Sequence, residues 1–263
     1  MFAHQRHRLI VQLLEQQGSV SVRELPSLVR ASPATIRRDL GLLAQRGSVV
    51  RARGGVLHPD VAAGESSFVE RVRAAAAAKA AIGRTAAALI AGRATIFVDS
   101  GSTTLEAGRH LLLRPEVTVF TNSILLLCLQ SPIRCRLVAI GGEFRPLSRA
   151  LVGALAMDWM RHLEFDYALI GASGVEPRDG ASTTEVLEAA IKKEAIERSG
   201  RALLLADASK WDHPAAVQFA GWDKFDGFIT DAKPALNERR LLSKAGVELV
   251  PIGGWPDGSP TAS

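Results

Sequence analysis

Two cysteines in 263 residues, Cys128 and Cys135, leave this sequence without a disulfide framework. Their spacing is neither a metal nor a redox motif. Cys128, inside Ile124-Leu125-Leu126-Leu127-Cys128-Leu129, reads as a buried core residue. The six histidines show no close metal-ligand spacing, so neither a metal nor a cofactor is expected. No apolar run approaches the ~20 residues that cross a bilayer, and Met1–Arg8 lacks the apolar stretch of a signal peptide. These absences fit a reducing, cytoplasmic setting with no membrane partner. No nucleophile, base and orienter stand at catalytic spacing, and no pair of carboxylates does. Acid is scarce where base is dense. Residues 1–57 hold nine arginines against three acids, a charge of +6 where the whole chain carries +5, so the remainder is −1.

What is present begins with enough apolar residue, 47% of the chain, for a sizeable core and two domains. A compact basic head on a near-neutral body is an electrostatic footprint for phosphate backbones; a solvated basic surface with no partner is the blander reading. Leu9, Ile10, Leu13 and Leu14 recur at helical spacing and Gly18 ends the pattern. Ser21-Val22-Arg23-Glu24 is a capping-box signature for a second helix. Pro26 conflicts with that start, so the helix begins near Leu25 or has a distorted first turn.

The third helix is the most informative. Ser32 is a good N-cap, Pro33 suits the first helical position and Gly47 stops the helix after about Arg46. Ile36, Leu40 and Leu43 form its buried face. Ala34, Thr35, Arg37 and Arg38 are left for solvent or for the edges of bases in a DNA major groove. Ser48 to Val56 then reads as a short hairpin turning near Gly54-Gly55, with Arg51 and Arg53 set against phosphates or the minor groove. Three helices and a basic hairpin predict a winged helix-turn-helix.

From residue 58 the composition changes. A linker with small residues and proline is expected over 58–72, and an Ala-rich helix over about 68–91, closed by Gly92. Seven strand candidates follow: Ala94–Val98, Val117–Thr121, Leu137–Ile140, Tyr167–Ile170, Ala202–Ala206, Gly227–Ile229 and Val247–Val250. Helical patterns lie near 103–113, 123–130, 185–199 and 235–245. This alternation predicts an α/β domain with a mostly parallel sheet, whose ligand loops lie beyond the carboxyl ends of its strands. Residues 254–263 read as a flexible tail.

Four strand-end clusters follow from that rule. Asp99-Ser100-Gly101-Ser102-Thr103-Thr104 follows a strand and opens a helix, where hydroxyls and the first N–H groups suit a phosphate. A strand-to-helix turn with a Ser/Thr cap accounts for the same residues. Thr121-Asn122-Ser123 repeats the logic, with Asn122 as a cap or a ligand partner. Gly141-Gly142 is either a tight turn or backbone open to a ligand. In Asp207-Ala208-Ser209-Lys210, the lysine is either an anion partner or a surface residue. Glu188 and Lys192 stand at i and i+4, the spacing of a helix-stabilising pair.

Taken together, these residues resemble the DeoR family of bacterial transcription regulators over nearly the entire chain. Ser32 to Leu40 looks like the family's recognition-helix signature, and Arg53-Gly54-Gly55 like the end of its wing, although histidine is frequent in the family where this chain has Arg53. Pro26 departs from the family's usual alanine. Asp99 to Thr104, Asn122, Gly141-Gly142, Gly153, Glu188 with Lys192, Asp207 to Lys210 and Thr230-Asp231 follow in family order. The resemblance implies a DNA-binding head (1–57), the linker (58–72), and an effector-sensing domain (73–253) related in fold to ribose-5-phosphate isomerase and glucosamine-6-phosphate deaminase. It implies a homo-oligomer, dimer or tetramer, that represses a carbohydrate operon and answers to a phosphorylated sugar. An active isomerase or deaminase carrying a DNA-binding head is the alternative; Ile170 to Val175, in place of the acidic loop of those enzymes, carries no carboxylate, which argues against it. A regulator sensing an unrelated molecule such as a nucleotide is the third reading.

Overall fold

A computed structural model describes residues 2–62 and 68–252, so the expected tail (254–263) and residues 63–67 of the expected linker lie outside the described residues. The chain divides into two compact units, one formed by residues up to Arg71 with Pro146–Ser148 and the other by the remainder.

The first unit runs α1 (Ala3–Gln17), β1 (Ser19–Ser21), α2 (Leu25–Leu28), α3 (Pro33–Gln45), β2 (Val50–Ala52) and β3 (Gly55–Leu57). The apolar positions read from the sequence meet in one core: Ile10 and Leu14 of α1, Leu25, then Ile36, Leu40 and Leu43 of α3, closed by Val20 and Val56 of the sheet and by Val49 just before β2. The conflict at Pro26 resolves as a late start. Ser21 Oγ accepts from the Arg23 amide at 3.2 Å in a turn of its own. The helix begins at Leu25, which places Pro26 in its first turn. An N–H there has no intrahelical acceptor, so proline loses nothing. The wing hairpin turns at Gly54, whose φ of +82° suits glycine. Strand β1, absent from the sequence reading because three residues show no alternation, pairs with β3 to complete a sheet of order β1-β3-β2.

Next come α4 (Pro59–Ala62) and α5 (Phe68–Arg73), so the expected linker carries helix at both ends. The single Ala-rich helix expected over 68–91 is instead two, because Ala75 adopts φ +51° and α6 spans Ala76–Leu89.

The second unit continues β4 (Thr95–Val98), α7 (Ser102–Leu111), β5 (Thr118–Thr121), α8 (Ile124–Leu127), β6 (Arg136–Ala139), β7 (Glu143–Arg145), β8 (Ala150–Val152), α9 (Ala154–Met160), β9 (Phe165–Gly171), β10 (Gly174–Glu176), β11 (Gly180–Thr183), α10 (Val186–Glu197), β12 (Ser199–Leu205), β13 (Val217–Ala220), β14 (Gly227–Thr230), α11 (Leu236–Lys244) and β15 (Glu248–Pro251). All seven strand candidates take part in one parallel sheet of order β15-β14-β12-β9-β4-β5-β6. Their runs are apolar because central strands such as β9 and β12 bury both faces. The short antiparallel pieces β7–β8 and β10-β11-β13 have no such runs, and the sequence reading lacks them along with α9.

This order contains one reversal. From β4 the chain adds β5 and β6 on one side; from β9 it adds β12, β14 and β15 on the other. The reversal falls between β4 and β9, the position at which open parallel sheets take their ligands. Helix α8 is short, so Cys128 is its C-cap and is exposed rather than in the core; Cys135 is the buried cysteine.

Candidate functional site

In the first unit, Ser32 Oγ accepts from the Thr35 amide at 3.2 Å and lies 2.8 Å from Thr35 Oγ1, so both open α3 as an N-cap pair. Ala34, Arg37 and Arg38 are exposed, and Thr35 is half-buried. Arg51 of β2 and Arg53 in the hairpin turn are also exposed. Two short patches of positive charge therefore stand outside one apolar core.

One residue of α3 behaves differently. Asp39 is 3% exposed and lies on the same face as Ile36, Leu40 and Leu43. It accepts from Arg6 Nε at 2.8 Å and Nη2 at 3.3 Å, and His7 Nε2 is 2.8 Å away. Burial pushes the Asp39 carboxyl up, but the hydrogen bonds from Arg6 and His7 outweigh it and hold the group below the usual carboxylate range. Arg6, one of the nine arginines in the basic head, thus pins α1 to the third helix. The helical spacing of Asp39 with the core residues was the signal for this; the partners were not visible.

On the reading of the basic head as DNA-binding, Arg53→Ala is expected to weaken binding to any duplex by a similar factor. The slope of log K against log salt should fall by about 0.9 for each phosphate that is no longer neutralised. A fluorescence anisotropy titration at several salt concentrations checks this, and an unchanged slope means that Arg53 touches no phosphate.

In the second unit, parallel strands deliver the predicted clusters to one edge of the sheet. Asp99 directly follows β4 and is 1% exposed. Its Oδ2 accepts from the Gly171 amide at 3.0 Å, across the reversal, and from Lys192 Nζ of α10. The ammonium also donates to the Gly171 carbonyl at 3.0 Å and sits 5.7 Å from the Phe219 ring centroid. Lys192 therefore does not form the i, i+4 pair with Glu188. Glu188 accepts instead from Arg145 Nη1 of β7 at 3.1 Å.

The loop after Asp99 divides into structural and open groups. Thr104 Oγ1 accepts from the Gly101 amide at 2.8 Å and donates to the Asp99 carbonyl at 2.6 Å. That hydroxyl is the cap of α7 and is fully buried, which removes it from the groups facing outward. Ser102 and Gly101 are half-buried and Thr103 is 7% exposed. Ser123, not Asn122, caps α8, accepting from the Leu126 amide at 3.3 Å. Gly142 has φ +140°, and a Cβ there would lie 2.6 Å from the Val152 carbonyl oxygen, so its lack of a side chain serves the approach of β8. Gly141 has open space around it.

At the end of β12, Asp207 Oδ1 accepts from Ser209 N at 3.1 Å and Oγ at 2.5 Å. Lys210 closes the short turn that follows, half-buried, with its amide on the Asp207 carbonyl at 2.9 Å. Among the described residues, Ser100 Oγ, Asn122 Oδ1 and Asp207 Oδ2 on this edge are buried side-chain oxygens with no hydrogen-bond partner. They follow β4, β5 and β12 in turn. Native interiors rarely leave such groups unmet, and doing so costs about 1–3 kcal/mol each. All three lie beyond the carboxyl ends of strands at or next to the sheet reversal. The sequence reading missed Lys79, 3% exposed on the buried face of α6, whose Nζ lies 3.7 Å from Asp207 Oδ2. Its spacing with Ile82 and Ala86 was the available signal. Among the described residues no group of side chains is arranged to hold a metal ion, and no helix is long and apolar enough to cross a membrane.

The family model described as a DeoR-like helix-turn-helix domain matches residues 6–61, and that of the DeoR C terminal sensor domain matches residues 74–232. The chain is 33% identical over 251 residues to the uncharacterized HTH-type transcriptional regulator YgbI of Escherichia coli K12, covering 95% of this chain and 98% of that protein. It is 29% identical to the glycerol-3-phosphate regulon repressor of the same organism, over 93% of this chain and 97% of that one. It is also 29% identical to the HTH-type transcriptional repressor GlcR of Bacillus subtilis 168, over 95% and 96% respectively. A ribose 5-phosphate isomerase A from Methanocaldococcus jannaschii overlays with a TM-score of 0.35 at 19% identity, covering 51% of this chain and 53% of that one, too loosely to bear on function.

Proposed function

The chain belongs to the DeoR family of transcriptional regulators, and from that premise we propose that it represses a carbohydrate catabolic operon and yields its operator when a phosphorylated sugar binds at the carboxyl edge of its parallel sheet. Residues 1–57 carry the DNA contacts and 73–253 the sensor. Duplex DNA is the macromolecular partner and the cytoplasm the place of action. A symmetric homo-oligomer, dimer or tetramer, lets two heads read paired half-sites.

The observation that carries the effector reading is the set of unmatched buried oxygens at the sheet reversal: Ser100 Oγ, Asn122 Oδ1 and Asp207 Oδ2. They suit the hydroxyls of a sugar, and the amino end of α7, with Gly101, Ser102 and Thr103 half-buried or buried there, suits its phosphate. Gly141, and Lys210 beyond Asp207, border the same edge. Asp99 and Lys192, bonded to each other and to Gly171, serve as the rigid floor. The name of one relative, the glycerol-3-phosphate regulon repressor, points to the same ligand chemistry. The sequence relatives named above are regulators, which leaves the isomerase or deaminase alternative without support.

Control is a shift between two populations. The effector acts only through its differential affinity for them, and a tenfold loss of operator affinity needs about 1.4 kcal/mol of coupling. By linkage, operator DNA weakens effector binding by the same factor.

Thermal-shift titration with glycerol 3-phosphate, hexose 6-phosphates, free sugars and nucleotides tests the reading. Stabilisation by phosphorylated sugars alone supports it, and stabilisation by nucleotides alone overturns it. Lys210→Ala is expected to keep operator affinity and to lose release by the stabilising sugar phosphate. A variant that releases DNA at the wild-type concentration takes Lys210 out of the site.

A further inference from the structure

Lys79, which no local pattern marked as functional, joins the carboxyl edge of the sheet to a break in the helices that precede it. It lies on α6, is 3% exposed, and its Nζ donates to the Ala74 carbonyl at 2.8 Å. The next residue, Ala75, is the left-handed break that separates α5 from α6. A non-glycine residue in that conformation persists only where its surroundings hold it. Here the hold is twofold, since the Lys79 amide donates to the Ala75 carbonyl at 3.0 Å while the side chain of the same residue captures the carbonyl of Ala74.

On its other side the Lys79 ammonium faces Asp207 Oδ2 at 3.7 Å. That distance is an ion pair but not a hydrogen bond, and Oδ2 is one of the three unmatched oxygens at the carboxyl edge. Asp207 is 2% exposed, so the attraction acts with little screening by water.

We propose that Lys79 is a positioning residue that transmits occupancy of the effector site proposed at Asp207 to the backbone break at Ala74–Ala75. This rests on the reading of the carboxyl edge as the effector site. The ammonium contacts both a backbone carbonyl at the break and a carboxylate at the carboxyl edge of the sheet. A ligand hydroxyl that donates to Asp207 Oδ2 weakens the pull of that oxygen on the ammonium. A ligand phosphate strengthens the pull from the pocket side. Either change redistributes the lysine between Asp207 and Ala74. The break lies in the covalent path from the DNA-binding unit to the sheet, two residues beyond the boundary between the units at Val72. Its stability is thus a natural quantity for an effector to set.

Hydrogen–deuterium exchange of the full chain tests this without any ligand. The variants are Asp207→Asn, Lys79→Met and the double substitution, with Lys79→Gln as the gentler replacement should Lys79→Met lose its fold. Asp207→Asn removes one counter-charge of a buried ammonium, which on this proposal loosens the first turn of α6. Exchange of the amides over residues 75–80 is therefore expected to rise about tenfold in the Asp207→Asn chain. In the background lacking Lys79 the same substitution is expected to change nothing there. Equal effects of Asp207→Asn in both backgrounds, or no effect in either, overturn the proposal. The thermal-shift titration with sugar phosphates fails or succeeds independently: no stabilisation sinks the effector reading while leaving the exchange result to stand, and stabilisation with no exchange coupling sinks only the role of Lys79.

Discussion

Lys192→Met is expected to cost about 3–5 kcal/mol of stability, because it strands a buried charge. The side chains of Lys192 and Asp99 are 5% and 1% exposed. Removing the ammonium leaves the carboxylate of Asp99 with the Gly171 amide as its remaining partner and leaves the Gly171 carbonyl without its lysine. A buried charge without its counter-charge is costlier than the intact pair is stabilising. Urea denaturation followed by circular dichroism measures the loss, and adding Asp99→Asn to Lys192→Met is expected to recover part of it. A loss below about 1 kcal/mol would place the pair in the class of solvated ion pairs and remove it as the floor of the proposed effector site. The consequence for control is direct. The pair bridges β4 and β9, the strands between which the sheet order reverses, so a chain without it is expected to lose sugar-phosphate stabilisation even at temperatures where it remains folded.

Arg37→Ala is expected to leave the unfolding midpoint unchanged and to raise the dissociation constant for operator DNA roughly five- to 150-fold. That is the factor of about 1–3 kcal/mol carried by a good bidentate base contact. Arg37 is exposed on a helix whose opposite face is anchored by Ile36, Leu40 and Leu43. Its replacement therefore leaves the core intact. A comparison of operator and scrambled duplexes at one salt concentration separates the two roles of an arginine. Weakening confined to the operator means a base contact, and equal weakening on both means a phosphate contact. Wild-type affinity for both removes Arg37 from the interface. The same pair of duplexes assigns Arg38. Asp39, next along the helix, is instead bonded to Arg6 and His7 inside the unit.

Much of the architecture is written in local pattern. The capped start at Ser32-Pro33, the buried face of α3 and the Gly54 turn are each set by residues within a few positions of one another, and the structure keeps all three. The seven strands of the parallel sheet were legible for a similar reason, because strands covered on both faces are continuous apolar runs. The three-residue strands were not, since so short a segment cannot display a period. The break at Ala75 was hidden in a run of alanines that individually favour helix.

The candidate site was half legible. Strand-end residues such as Asp99, Asn122 and Asp207 follow from the rule that parallel sheets present their carboxyl ends together. The roles within that edge do not. Thr104 and Ser123 proved to be caps, Gly142 a packing position, and Lys192 the partner of a residue 93 positions away rather than of its helical neighbour. The sequence by itself determined where helices begin, which runs are buried and where positive charge gathers, because these depend on chemistry within a turn or two of the chain. Only the tertiary structure decided which charges meet. Arg6 with Asp39, Lys79 with Asp207 and Lys192 with Asp99 are each joined by a crossing of chain segments that no local pattern encodes, and a charge in an apolar interior is bound to whatever partner that crossing brings within reach.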